Sequence, residues 1–125
     1  MTERVLLVDD ETEFLEIMAE RMRARDMEVT TSTSASEAMG LIETESYDAV
    51  IMDFQMPEMD GYEATRLIRQ NPDLQELPII AMTAHAMTGD REKCLNAGMD
   101  DYMTKPIKKE KVFEIIENLS KKEDL

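Results

Sequence analysis

The chain has 125 residues, of which 42% are hydrophobic and 34% charged. This balance excludes a disordered chain and suffices for one ordinary domain with its own core. The formal net charge of −14 argues against direct DNA or RNA binding, because an acidic surface repels phosphate backbones.

The charge is uneven. Residues 1–64 carry 17 acids and 4 bases, net −13, whereas residues 65–125 carry 11 acids and 10 bases, net −1. Such a surface favours a divalent cation or a basic partner. Cys94 is the only cysteine, so no intrachain disulfide can form, and a reducing compartment is expected. It is expected to pack on a helix as a small apolar group. No apolar run reaches the length of a membrane span, and the N-terminus lacks a signal-peptide pattern. A soluble cytoplasmic protein with no membrane contact is therefore expected. The 12 methionines are assigned to core gaps.

Val5-Leu6-Leu7-Val8 is a fully apolar run and predicts a buried first strand, closed by Asp9-Asp10-Glu11. Helical spacing follows, with Phe14, Ile17, Met18 and Met22 as the inward stripe. Its first turn is acidic and its last turn holds Arg21, Arg23 and Arg25, as the helix dipole favours. Residues 27–31 alternate and are β-branched, which predicts a more exposed strand. Ser34 or Ser36 is a candidate cap for a second helix that buries Ala38, Leu41 and Ile42.

Ala49-Val50-Ile51-Met52 predicts a central strand buried on both faces, with Asp53 at its carboxyl end. A helix over about 62–70 stops near Asn71-Pro72. Residues 78–82 predict a fourth strand ending at Thr83. A helix over about 88–97 closes at Gly98. Residues 101–104 predict a short fifth strand ending at Lys105-Pro106. A last helix carries Val112, Ile115, Ile116 and Leu119. Ser120–Leu125 reads as a polar tail.

Strands and helices alternate five times, which predicts an α/β fold with a parallel sheet covered on both faces. All carboxyl ends of a parallel sheet share one edge, where ligands bind in such folds. Asp9, Asp10, Asp53, Thr83 and Lys105 thus face one edge. If their strands are neighbours, about 4.8 Å separates each from the next. Crowded carboxylates repel one another, and a hard divalent cation relieves this; Mg²⁺ prefers such oxygen ligands. A carboxylate can also act as a nucleophile toward a phosphoryl group. The Lys105 ammonium and the Thr83 hydroxyl could then receive the phosphoryl oxygens. Ala84 is small enough to let its backbone N–H approach the same group.

With these residues in view, the chain resembles the receiver domain of two-component response regulators over about residues 4–120. The matching motifs are Val8-Asp9-Asp10-Glu11, Met52 to Gly61, Met82-Thr83-Ala84 and Asp101 to Pro106. Each is weak alone, and all four in this order are specific. The resemblance implies a flavodoxin-like (βα)5 sandwich with strand order 2-1-3-4-5, forming a single domain over residues 1–125. It implies Asp53 as phosphoacceptor. Mg²⁺, with Mn²⁺ as an alternative ion, would be held by Asp10, Asp53 and the backbone carbonyl of Gln55, with Asp9 acting through water. Thr83, the Ala84 backbone and Lys105 would bind the phosphoryl group. Thr83 and Tyr102 would form the switch, and Pro106 would follow a cis peptide. The stretches 84–91 and 97–102 look most like receivers attached to hybrid histidine kinases.

The implied donor is a histidine kinase or histidine phosphotransfer domain. The domain would promote its own phosphorylation and dephosphorylation, and would switch the face of helix 4, strand 5 and helix 5. A phosphorylation-dependent dimer is compatible with this reading. Gln55 and His85, each two residues beyond a site residue, are candidates for tuning the access of hydrolytic water. His85 itself sits just past a strand, not on a helix face as a phosphorelay histidine would. The exposed part of the first helix is a candidate kinase-docking face.

Two other classes compete. A phosphatase of the haloacid-dehalogenase type places a second Asp two residues after its nucleophile, and here that position is Gln55. A phosphorylation-independent pseudo-receiver usually lacks an acidic or lysine site residue, and none is missing here.

Overall fold

The computed structural model describes residues 3–53, 61–83, 89–104 and 114, with Gly61 and Asp90 described by their backbone alone. The elements alternate along the chain: β1 (Arg4–Val8), α1 (Thr12–Arg23), β2 (Glu28–Ser32), α2 (Ala35–Thr44), β3 (Ala49–Asp53), α3 (Gly61–Gln70), a 3₁₀ turn (Pro72–Leu74), β4 (Ile79–Thr83), α4 (Asp90–Asn96) and β5 (Asp101–Thr104). The strands form one parallel sheet in the order β2-β1-β3-β4-β5. The expected last helix lies outside the described residues, apart from Glu114.

The sheet separates two cores. Val5 and Leu7 of β1, Ala49 and Ile51 of β3 and Ile80 and Met82 of β4 point to one face, where α1 covers them. Their chain neighbours Leu6, Val8, Val50, Met52, Ile79 and Ala81 point to the other, under α2, α3 and α4. Burial on both faces explains why β1, β3 and β4 are unbroken apolar runs. The edge strand β2 keeps Thr30 and Thr31 half-exposed, as its alternation implies.

α1 differs in phase from the expected stripe. It buries Leu15, Met18, Ala19 and Met22, while Ile17 is 47% exposed. Phe14 only packs against the edge of that core. The true stripe follows the i, i+3, i+4, i+7 spacing from Leu15, which leaves Ile17 on the far side of the helix. In α2 the buried residues are Ala35, Ala38 and Ile42, with Leu41 half-buried. Ser34, not Ser36, caps this helix: its side chain accepts the Glu37 N–H at 3.1 Å.

Two helices end in the same turn. After α4, Gly98 takes φ +109°. Its N–H donates to the Leu95 carbonyl at 3.1 Å, and that of Met99 to the Cys94 carbonyl at 3.0 Å. This is a Schellman turn, and the buried Cys94 and Met99 supply its apolar contact. After α1, the Asp26 N–H donates to the Arg23 carbonyl and the Met27 N–H to the Met22 carbonyl. Here the left-handed position is held by Asp26, at φ +65°. Met27 is thus the buried anchor of the turn, which is why β2 starts one residue later than its alternation suggests.

An arginine locks the lower ends of α3, α4 and β4 together. Arg69 donates to the carbonyls of Gly98 at 3.0 Å, Leu74 at 2.9 Å and Leu77 at 2.8 Å, and to Asp100 Oδ2 at 3.0 Å. These bonds close the loops at the end of the sheet opposite Asp53.

Candidate functional site

The register places the site residues in steps. Val8 pairs with Met52, so Asp9 follows beside Asp53 at the carboxyl edge. Asp53 pairs with Met82 of β4, and Thr83 lies one residue further on. Thr83 in turn pairs with Thr104, the residue before Lys105. β1, β3, β4 and β5 are consecutive neighbours in the sheet, which is the condition for convergence. The unbroken apolar runs make β1, β3 and β4 the central strands, and their register sets each carboxyl end beside its neighbour's.

Carboxylate oxygens of Asp9, Asp10 and Asp53 lie within 4.8 Å of one another. Asp9 is fully buried, Asp53 is 7% exposed, and Asp10 is exposed. The site is therefore a recess with one acidic residue at its mouth. Asp9 also anchors the start of α1. Its Oδ1 accepts the Glu11 N–H at 2.9 Å, and its own N–H donates to the Ser32 carbonyl at 3.1 Å. The helix-start role and the acidic-cluster role thus coincide in one residue.

Three carboxylates this close form a donor set suited to a hard cation such as Mg²⁺. Oxygen ligands of this kind, with no thiolate or imidazole among them, argue against a site for a soft metal. Thr83 is fully buried at the end of β4. Strand alternation puts it on the face of Ala81 and the α4 side, and Ala81 pairs with Tyr102. Tyr102 is half-buried against that core, with its hydroxyl oxygen shielded from solvent. The backbone N–H of Tyr102 donates to Asp101 Oδ1 at 2.7 Å, and the same oxygen receives Arg91 at 3.2 Å.

Gln55, Ala84, His85, Lys105 and Pro106 lie outside the described residues. The Arg69–Asp100 pair has no signal in the sequence. A separation of 31 positions leaves no local pattern to betray it.

Known proteins match this geometry closely. The chain is 39% identical over 112 residues to the signal transduction histidine-protein kinase BarA of Escherichia coli, covering 90% of this chain and 12% of that protein. It is 38% identical over 116 residues to the sensor protein GacS of Pseudomonas syringae, covering 90% of this chain and 13% of that protein. The chain thus spans about an eighth of these curated relatives. The receiver domain of sensor histidine kinase PA1611 from Pseudomonas aeruginosa superimposes with a TM-score of 0.86 at 38% identity, covering 95% of this chain and 98% of that one. That structure has a magnesium ion coordinated in its active-site cleft. A putative response regulator from Chloroflexus aurantiacus gives a TM-score of 0.88 at 29% identity, with 95% and 98% covered. The fold thus finds its counterparts in receiver domains. With residues 5–117 matching the family model of the response regulator receiver domain, the chain belongs to that family.

Proposed function

We propose that Asp53 is the phosphoacceptor of this receiver and that a histidine kinase or histidine phosphotransfer domain is its donor. The observation that carries this is the convergence of Asp9, Asp10 and Asp53 within 4.8 Å at the strand ends. A carboxylate oxygen of Asp53 attacks the phosphorus of a phosphohistidine. The O–P bond forms as the P–N bond breaks, and the imidazole leaves with the bonding pair. Hydrolysis of the acyl phosphate by water later restores the carboxylate and releases phosphate.

Such transfer needs positioning and charge neutralisation more than covalent help. Asp10, Asp53, the Gln55 carbonyl and, through water, Asp9 would hold Mg²⁺, which when bound neutralises charge on the phosphoryl oxygens. The Thr83 hydroxyl donates a hydrogen bond to a phosphoryl oxygen, Lys105 adds an ammonium, and the Ala84 N–H a further donor. Gln55 and His85 set the access of water to the acyl phosphate. The shared sheet face of Thr83 and Tyr102 supports their coupling as a switch, by which phosphorylation biases a two-state equilibrium. The output is then read on the face of α4, β5 and the last helix.

The test is intact mass after incubation with Mg²⁺ and acetyl phosphate, for the wild type and Asp53→Ala. One phosphate adduct in the wild type alone supports the assignment. An adduct that persists in Asp53→Ala refutes it. Bound Mg²⁺ with no adduct from either acetyl phosphate or a phosphorylated kinase would favour a pseudo-receiver.

A further inference from the structure

A second surface carries charge of the opposite sign. Between α3 and α4 runs a groove of about 250 Å³ lined by Tyr62, Arg66, Lys93, Asn96 and Ala97. Tyr62 and Arg66 are one turn apart on α3. Lys93 and Asn96 on α4 and its C-cap Ala97 have the i, i+3, i+4 spacing, and the two stripes line the same groove. Among the described residues, no acidic one lines the groove. Arg66 and Lys93 are exposed, and among the described residues neither side chain has a hydrogen bond or an ion pair. By contrast, Arg4, Arg69 and Arg91 all meet carboxylates. In a chain with 28 acids and 14 Lys and Arg residues, two cations converge on one groove with no carboxylate among its described lining residues.

The groove is also held in shape. Immediately below it, Arg69 of α3 donates to the Gly98 carbonyl after α4 at 3.0 Å. The two walls are thereby fixed relative to each other, so an occupant need not order them.

We infer that this groove is a docking site for a short acidic segment of a partner protein. One carboxylate of that segment would meet the Arg66 guanidinium, which suits a carboxylate in bidentate geometry, and a second the Lys93 ammonium. The Tyr62 ring and the Ala97 methyl offer an apolar seat between the charges, and the Asn96 amide donates or accepts at the rim. The net charge of −14 selects against an extended polyanion such as nucleic acid, which would meet the whole repulsive field. A short segment meets mainly the local cations, within about 8 Å at physiological ionic strength.

The experiment is an NMR titration of the ¹⁵N-labelled chain with a short synthetic Glu/Leu peptide, its Gln/Leu counterpart and inorganic phosphate. The expected result is saturable shifts on α3 and α4 with the Glu/Leu peptide only, weakened by salt. The double variant Arg66→Glu/Lys93→Glu, with its other amide signals in place, should bind about tenfold more weakly or worse. Equal shifts with the Gln/Leu peptide, or full binding by the double variant, would overturn the inference. Shifts with phosphate alone would replace it with an inorganic anion site. Self-association of the chain that the double variant abolishes would replace the partner with a second copy.

Discussion

Arg69 and Asp100 are 31 residues apart in sequence and 3.0 Å apart in space. The carboxylate oxygen that receives Arg69 Nη2 also receives the Ile79 N–H at 2.8 Å. The Asp100 N–H returns a bond to the Ile79 carbonyl at 2.8 Å. One side chain thus ties the start of β4 to the start of β5 and to the end of α3. The Arg69 side chain is only 18% exposed, which raises the worth of these bonds above that of an ordinary surface ion pair. Arg69→Lys retains the charge but cannot reach three carbonyls and a carboxylate at once. It is expected to lose about 2 kcal/mol or more in urea unfolding. Asp100→Asn keeps an acceptor for Ile79 and should lose only about 1 kcal/mol. Equal losses would show that the fork geometry of the guanidinium is irrelevant.

Gly98 lies under the same arginine. A Cβ built at Gly98 would stand 3.1 Å from Arg69 Cγ, and φ there is +109°. Gly98→Ala should therefore destabilise by about 2 kcal/mol, from backbone strain and crowding together. Wild-type stability for this variant, measured by thermal or urea unfolding, would contradict the constraint.

Asp26 offers the opposite case. It is exposed, and it holds a left-handed conformation at φ +65° that ends α1. Asp26→Gly removes the Cβ penalty and should stabilise by about 1 kcal/mol. For a domain of this size the melting temperature should rise by about 4 °C. A lower melting temperature would mean that the aspartate contributes an interaction that outweighs the strain.

The crowding of Asp9, Asp10 and Asp53 has a consequence for stability. Repulsion between unit charges at about 5 Å is on the order of 1 to 3 kcal/mol for effective dielectric constants between water and 20. Without metal, Asp53→Asn should unfold at a higher urea midpoint than the wild type, by about 1 kcal/mol. Added Mg²⁺ should stabilise the wild type in a concentration-dependent way and the variant less. A wild-type midpoint that ignores Mg²⁺ would speak against cation binding at this edge.

Ile17 is an exposed apolar residue on α1. Ile17→Ala should change stability by no more than about 0.5 kcal/mol. If α1 receives the donor protein, the variant should slow phosphoryl transfer from a phosphorylated histidine kinase while leaving the reaction with acetyl phosphate unchanged. Equal rates with both donors would remove α1 from the docking face.

Much of this fold is written in local pattern. The runs Val5–Val8 and Ala49–Met52 are unbroken because both faces of the sheet are covered. A parallel sheet then brings Asp9, Asp10 and Asp53 together whatever the intervening helices contain. The phase of α1 is not set by local pattern. Apolar residues at 14, 15, 17, 18 and 22 surround much of the helix, and only packing decides that Leu15 and Ala19 face inward while Ile17 does not. Ser34 and Ser36 are equivalent as capping residues until the backbone turns helical at Ala35. The Arg69 lock and the cationic groove have no local signature, since each joins side chains from segments far apart in the chain.

Asp9 serves two masters, and this makes the first turn of α1 a natural reporter. One of its carboxylate oxygens is bound to the Glu11 N–H at 2.9 Å, and the same carboxylate belongs to the acidic cluster. Any event that reorients that group is felt at the Glu11 amide. The hydrogen-exchange rate of that single amide should therefore follow the occupancy of the site, giving a probe inside the domain that needs no label on the acceptor itself.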